Sequence, residues 1–486
     1  MKDLGKWQII SFISRGMSMV VGIVQSFAII RILTVSEWGL VQLAVSIGGA
    51  LGIYQHLGLA SASTREISAA KEDSEVFKIF VTSLFIRYLV TLPIALLLFI
   101  FSRNIAVDVY HRTELIVPLQ IYAISLVFQG VQSITNSVIS GTKRFKQLFT
   151  YQVLISFASL IIYIPLIYKF RINGYFYAFM IFNILNSGIL AYLALSPLKA
   201  HIKLPSKTDI KRLVREIFSI SIGIYIVKIL TTNWEKLGPN LLGLNNAPEV
   251  IAIFSFAVLY SRKILSISDS VTDVSLPVLS EKFATNVHEF KTTFVKNFDK
   301  VFALIILAAT YAAFWAPEII GLVVGSEKYA GSYKLIPTIL LAFVVYSLLD
   351  IVKSSILIPA KLIRHMLFSF FLLFLSTAVS FLVLNTKLGY LNAMSAGMAA
   401  GALIALMYQI VMVKKSLNFY FFNIDHAVLL VQSTVIGWAG IQSSLTVKSI
   451  AFLPLLFLSV WSAKIPGYIA MDDLLILKKF LRRKNV

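Results

Sequence analysis

The chain has 486 residues, 58% of them hydrophobic and 14% charged, with 44 Lys and Arg against 23 Asp and Glu. An average soluble domain is about 45–50% apolar and about 25% charged, so this chain lacks the polar residues to cover a water-soluble body and reads as a polytopic membrane protein. It has no cysteine, which excludes disulfides, iron–sulfur clusters and thiol catalysis. Its six scattered histidines hold no His-x-x-x-His pair, so no metal site is expected.

A membrane-crossing helix needs about 20 predominantly apolar residues. Breaking the chain at charged and Pro/Gly-rich clusters gives fourteen spans, at 9–33, 39–60, 77–102, 115–140, 148–168, 174–195, 217–242, 250–276, 301–324, 335–358, 365–384, 389–413, 426–445 and 447–466. The first is too long for a cleaved signal, lacks a small-x-small cleavage site and contains Arg15 and Arg31, so it is expected to persist as a span.

Several spans carry polar stripes at helical spacing. Span one places Ser11, Arg15, Ser18, Gly22 and Gln25 in series, with Arg31 at its end. Arg15 and Arg31 are ~160° apart round a straight helix and share a face only if Gly16 or Gly22 bends it. Span two carries Gln42, Ser46 and Gly49, span three Arg87, span four Ser125, Gln129, Gln132, Asn136 and Ser140, and span five Gln152, Ser156, Ser159 and Tyr163. Span seven sets Ser221, Tyr225, Lys228, Thr232 and Glu235 on one face, with Lys236 beside it. Span eight repeats this with Ser255, Arg262, Ser266, Asp269 and Asp273, next to Lys263, and span ten with Tyr346, Asp350, Lys353 and Ser354.

Uncharged polar groups in membranes often only bridge packed helices, for about 1 kcal/mol or less. Charges at the bilayer centre cost about 2.5–3.5 kcal/mol on insertion scales and point to function by default. Lys228, Arg262 and Lys353 are therefore read as lining a wet cavity, with Arg15 and Arg31 nearer span ends where they can snorkel. Gln25, Gln42, Gln129, Asn136, Thr232 and Ser266 are candidate polar lining. Within spans the eight cations Arg15, Arg31, Arg87, Lys228, Lys236, Arg262, Lys263 and Lys353 outnumber the acids, among them Glu235, Asp269, Asp273 and Asp350. That balance suits an anion such as a phosphate or pyrophosphate. The acids read either as counter-ions to Arg262 and Lys353 or as coupling sites for H+ or Na+; no other cofactor is expected.

Alternate connections divide the remaining Lys and Arg 28 to 8. This asymmetry puts both termini in the cytoplasm. The net charge of +21 is thereby topological, and no nucleic-acid partner is expected. The tail LLILKKFLRRKNV reads as an interfacial amphipathic segment held by anionic lipid. The longest connections, around 196–216 and 277–300, are too short for an extramembrane catalytic domain.

Spans 1–6 and 7–12 form equal sets that start on the same side, which predicts a parallel repeat with a site between halves near the midplane. The expected divisions are 1–200 and 201–420 for the six-helix lobes and 421–486 for two extra helices and the basic tail.

Four short stretches carry a family resemblance. RILTVSEWGL (Arg31 to Leu40) is similar to an R-x-L-x4-[YF]-G turn, with Trp38 in the aromatic place. HLGLASASTREIS is similar to a G-[LI]-x5-R ending of span two, through Gly58 and Arg65. VSLPVLSE, centred on Pro277, resembles L-x-P-x-L-S, and GLVVGSEKYAGS resembles a G-x-E-Y turn through Gly325 and Tyr329, with Lys328 intervening. In this order across fourteen spans, the chain resembles the polysaccharide (O-antigen/teichoic-type) flippases of the MOP superfamily, which also holds MATE exporters and the lipid II flippase. The resemblance implies two six-helix lobes around an alternately open, V-shaped cavity, with two helices behind. It implies transfer of a polyprenyl-pyrophosphate-linked oligosaccharide from the cytoplasmic to the outer leaflet, in contact with membrane lipids and polysaccharide assembly proteins. It further implies that Arg15, Arg31, Lys228, Arg262 and Lys353 hold the anionic head.

Two other functions compete. A MATE-like exporter of cationic drugs would want an acidic cavity. A membrane polymerase or glycosyltransferase needs a carboxylate set at a membrane face or a large loop, and neither DxD nor a long outer loop occurs; a non-enzyme is expected.

Overall fold

The computed structural model describes residues 2–265, 279, 282, 283, 285–325 and 328–464. These residues are helical with short connections and, among them, no strand. The expected spans coincide with helix over most of their described residues, while 266–276 of span eight and 465–466 of span fourteen lie outside those residues. The helices are α1 (Lys2–Ile32), α2 (Val35–Gly52), α3 (Leu59–Ala69), α4 (Asp73–Ile100), α5 (Ile116–Gly141), α6 (Phe145–Leu195) and α7 (Lys207–Asn245). They continue as α8 (Pro248–Ser261), α9 (Val287–Phe314), α10 (Ala316–Val324), α11 (Ile336–Val352), α12 (Ile363–Leu388), α13 (Tyr390–Leu417), α14 (Ile424–Gln442) and α15 (Leu445–Lys464). Among the described residues nine helical stretches are long and apolar enough to cross a membrane, one of them, Lys146–Lys199, holding two spans. These hold spans three to six and nine to fourteen, whereas spans one, two, seven and eight are not among them. Ser266, Asp269, Asp273, the Pro277 stretch and the basic tail lie outside the described residues.

The chain divides into two compact units, Met1–Ala252 and Ile253–Val486. In the first, α7 packs on α2, α3 and α4. The start of α2 is fixed by a reciprocal cap: Thr34 Oγ1 accepts from Glu37 N at 3.2 Å, and Glu37 Oε2 accepts from Thr34 N at 2.7 Å. Gly39 follows because a Cβ there would fall 1.9 Å from the carbonyl oxygen of Pro248.

Spans five and six are one helical hairpin with no loop. The chain reverses at Arg171, whose φ of 54° and ψ of −125° are non-helical. Such a conformation costs of order 1–3 kcal/mol. Three hydrogen bonds hold it: Arg171 Nε and Nη2 donate to the two oxygens of Glu37 at 2.9 and 2.6 Å, and Nη1 donates to Ile32 O at 2.8 Å. Partial burial works against the charge on Glu37, but the bonds from Arg171 and Thr34 prevail and hold its carboxyl below the usual range. The hydrogen bond to Glu37 raises the Arg171 guanidinium correspondingly. Gly174 lets the two arms meet, since its Cβ would lie 2.0 Å from Leu166 O.

In the second unit, Phe290, Phe294, Phe298 and Phe302 recur every four residues along α9, a single ridge of the helix. The ridge packs against Phe419, Phe421, Phe422 and His426. This anchors the connection from α13 into α14. Lys291 Nζ donates to Leu417 O at 2.7 Å and so closes the end of α13.

Candidate functional site

Span two is interrupted in its last third. Helix α2 stops at Gly52, a single tight turn covers Ile53–Gln55, and α3 begins at Leu59. Between them Leu57 and Gly58 both take positive φ, 47° and 70°. Left-handed backbone costs a residue such as Leu about 1–2 kcal/mol. Interrupted helices occur at membrane depth only where protein buries them or water reaches them.

The break turns Gln55 and His56 against α4. Thr91 Oγ1 donates to Gln55 Oε1 at 3.1 Å. One helical turn earlier, Arg87 Nη1 lies 3.3 Å from His56 Nδ1. A guanidinium has only donors, so the imidazole nitrogen accepts. Arg87 lies 14 residues into α4, about 21 Å along its axis, and is 0% exposed. Its Nε and Nη2 have no hydrogen-bond partner, and neither has Gln55 Nε2. No carboxylate among the described residues pairs with Arg87. Burying an uncompensated charge costs several kcal/mol.

Helix α7 covers the same place. Tyr225 Oη donates to Tyr54 O at 2.6 Å. Lys228, three residues on, is exposed and within electrostatic range of His56. Glu235 and Thr232 are half-buried farther along α7.

A model of the polysaccharide biosynthesis protein family matches residues 28–334. The chain belongs to that family. No curated protein matches it. Among solved structures it is similar to the lipid II flippase MurJ in an inward closed conformation, with a TM-score of 0.70 and 15% identity over 96% of this chain and 99% of that one. It is similar to an inward-facing multidrug resistance MATE transporter of the MOP superfamily, with a TM-score of 0.62 and 16% identity over 85% and 94%. A MOP superfamily transporter from Pyrococcus furiosus, described as having a binding pocket of reverse polarity, matches with a TM-score of 0.57 and 15% identity over 84% and 94%. The fold is thus that of the MOP superfamily, an all-helical, multi-pass membrane architecture.

This member of the polysaccharide biosynthesis protein family keeps its motif glycines for visible reasons: Gly39 at the Pro248 contact, Gly58 at the span-two break and Gly325, with φ of 99°, at the end of α10. Tyr329 of the last motif is buried and stacks on Phe256 at 4.7 Å. Arg65 is an exposed partner of Glu66.

The other expected site residues fall in several settings. Arg31 is exposed in the last turn of α1, and Arg15 lies within the same helix. Arg262 and Lys263 are exposed on the tight turn after α8. Lys353 opens a widened helical turn, Lys353–Leu357, at the end of α11. It is ion-paired with Asp350 and stands 5.7 Å from the Phe370 ring centroid, so the counter-ion reading of Asp350 has a direct contact. Gln25 accepts from Ser159 at 2.8 Å, a bridge between α1 and α6. Gln42, Gln129 and Asn136 are half-buried. Arg87 stands out in the sequence as an in-span charge without a stripe, whereas nothing in the pattern singles out Gln55 and His56. The signal for them was the adjacent Leu57–Gly58, the only glycine between Gly52 and Gly130.

Proposed function

We propose that the protein is a flippase that moves a polyprenyl-pyrophosphate-linked oligosaccharide, an O-antigen or exopolysaccharide repeat unit, from the cytoplasmic to the outer leaflet. The observation that carries this reading is an excess of cations over acids within the spans of a chain from a polysaccharide biosynthesis family. A pyrophosphate–sugar head cannot cross hydrocarbon unassisted. A basic, wetted cavity open to lipid on its flank lowers that barrier while the polyprenyl tail stays in the bilayer. Lys228, Arg262, Lys353, Arg15 and Arg31 are assigned to the head, and rocking of the two lobes switches access. Both termini are assigned to the cytoplasm, and the likeness to the lipid II flippase MurJ supports a lipid-linked cargo.

The likeness to a MATE transporter favours a second reading, small-molecule export with Glu235, Asp269, Asp273 or Asp350 coupling to H+ or Na+. One experiment separates them. In proteoliposomes, the wild type is expected to translocate a lipid-linked oligosaccharide, and Lys228→Ala and Arg262→Ala to lose most of that transfer while remaining folded. Drug efflux without oligosaccharide transfer by the wild type would move the protein to the exporter reading.

A further inference from the structure

We propose that the break in span two and the mid-point of α4 form an occluded oxyanion site, with Arg87 and Gln55 as the donors and Lys228 as the outer capture residue. The ligand class is a phosphate or diphosphate group, and for this class the inference rests on the flippase reading above.

Three observations meet here. First, the unpartnered atoms are all donors: Arg87 Nε, Arg87 Nη2 and Gln55 Nε2. Arg87 and Thr91, the partner of Gln55, are four residues apart and hence on one face of α4. An arrangement of spare donors with no acceptor is complementary to an oxyanion. Second, the charge is not neutralised from within, since the side chain makes one hydrogen bond and that is to a histidine nitrogen, with no carboxylate among the described residues paired to it. Third, the segment covering it is a separate piece of chain. Ile53 to His56 lies between the end of α2 and the left-handed pair Leu57–Gly58. It is held from α7 by the bond from Tyr225 to Tyr54 O. Helix α3 starts beyond it with no side-chain cap on its N-terminus, which adds a field that favours an anion.

The described conformation is then the closed one. Release of the Tyr225–Tyr54 bond lets the turn swing on Leu57–Gly58 and uncovers the donors. An anion binds only that open form, so its apparent affinity is reduced by the closed fraction. Arg87 therefore weakens the empty protein and strengthens the loaded one.

The test uses the full chain in detergent, with binding measured for inorganic pyrophosphate, farnesyl pyrophosphate and phosphatidylglycerol, and thermal unfolding measured without ligand. Arg87→Gln is expected to lose at least tenfold in affinity for the pyrophosphates while its ligand-free melting temperature stays level or rises. Tyr225→Phe is expected to bind them more tightly than wild type, and Lys228→Gln to slow association. Arg87-dependent binding of both pyrophosphates assigns the site to the anion itself. Arg87-dependent binding of phosphatidylglycerol alone assigns the same site to a lipid headgroup. Wild-type affinity in Arg87→Gln, or a lowered melting point with Tyr225→Phe binding as wild type, overturns the proposal. If Arg87→Gln does not accumulate folded, wild-type binding by both Tyr225→Phe and Lys228→Gln overturns it equally. Arg87-dependent binding by a protein that transfers no oligosaccharide would leave the site standing and remove the flippase reading.

Discussion

Two buried cations, one in each unit, have opposite surroundings. Lys448 on α15 is 1% exposed, and its Nζ donates to both oxygens of Glu318 on α10 at 2.7 Å, with the Phe314 ring 5.9 Å away. Arg87 on α4 is equally buried and its side chain makes one hydrogen bond, to a histidine. A paired buried charge fixes two helices in register, because separating them strands both ions. A buried charge without a carboxylate partner lacks that restraint, and the oxyanion proposed above would supply the missing acceptor. The His426–Asp299 contact at 3.0 Å belongs with Lys448: it ties α14 to α9 beside the phenylalanine ridge.

The comparison breaks most directly at Glu318. Glu318→Ala is expected to strand Lys448 and destabilise the protein by about 3–5 kcal/mol, read as a lowered melting temperature of the full chain. Replacing both residues by Met should cost clearly less than this single change. If it costs as much, the pair is not what the single variant reports.

A smaller effect is expected at His426, which is 1% exposed. Asp299→Asn weakens its hydrogen bond and should destabilise by about 1–3 kcal/mol, visible as faster protease cleavage between α13 and α14. Unchanged cleavage there would mean that the phenylalanine ridge alone holds the connection.

Smaller again is Glu37→Gln at the hairpin turn. Arg171 is half exposed, so losing the charge of its fork partner should cost about 1 kcal/mol or less. Salt should narrow the gap to wild type, and a gap indifferent to salt would speak against a charge effect.

The smallest effect concerns Asp209 at the start of α7. The backbone N–H of Ser206, its hydroxyl and Lys78 Nζ at 3.1 Å hold the Asp209 carboxyl down at about 2. A group depressed on folding stabilises fully above its ordinary value and loses that contribution as pH falls through the folded one. The loss thus belongs between about pH 4 and pH 2. Lys78→Ala raises the folded-state value, so the loss should be smaller and end at higher pH in an acid-unfolding series, and an unchanged loss would remove Lys78 from the account.

The spans were legible because hydropathy counts residues, and about 20 apolar ones have one common use in a chain this greasy. Breaks inside spans were not, because they depend on φ. The Ile53–Gln55 turn reads as ordinary apolar sequence, and the hairpin reverses at Arg171 rather than at the nearby Pro165. Charges that recur at helical spacing, such as Lys228 and Glu235, announce a face. Arg87 recurs with nothing on its own helix, since its neighbours Gln55 and His56 come from another span. Stripe reading finds sites built along one helix and misses those assembled across a break.

The reversal at Arg171 has a further consequence. A hairpin that turns on one residue has no slack, so chain length between its arms acts as a ruler. Ser159 on the first arm meets Gln25, and Asn183 and Ser187 on the second meet Gln132 at 3.0 and 3.2 Å. One residue added or removed between them would turn the second arm by about 100° and point those groups into lipid. In most membrane proteins loops absorb such changes; here the spacing of two polar contacts is written into the count of residues itself.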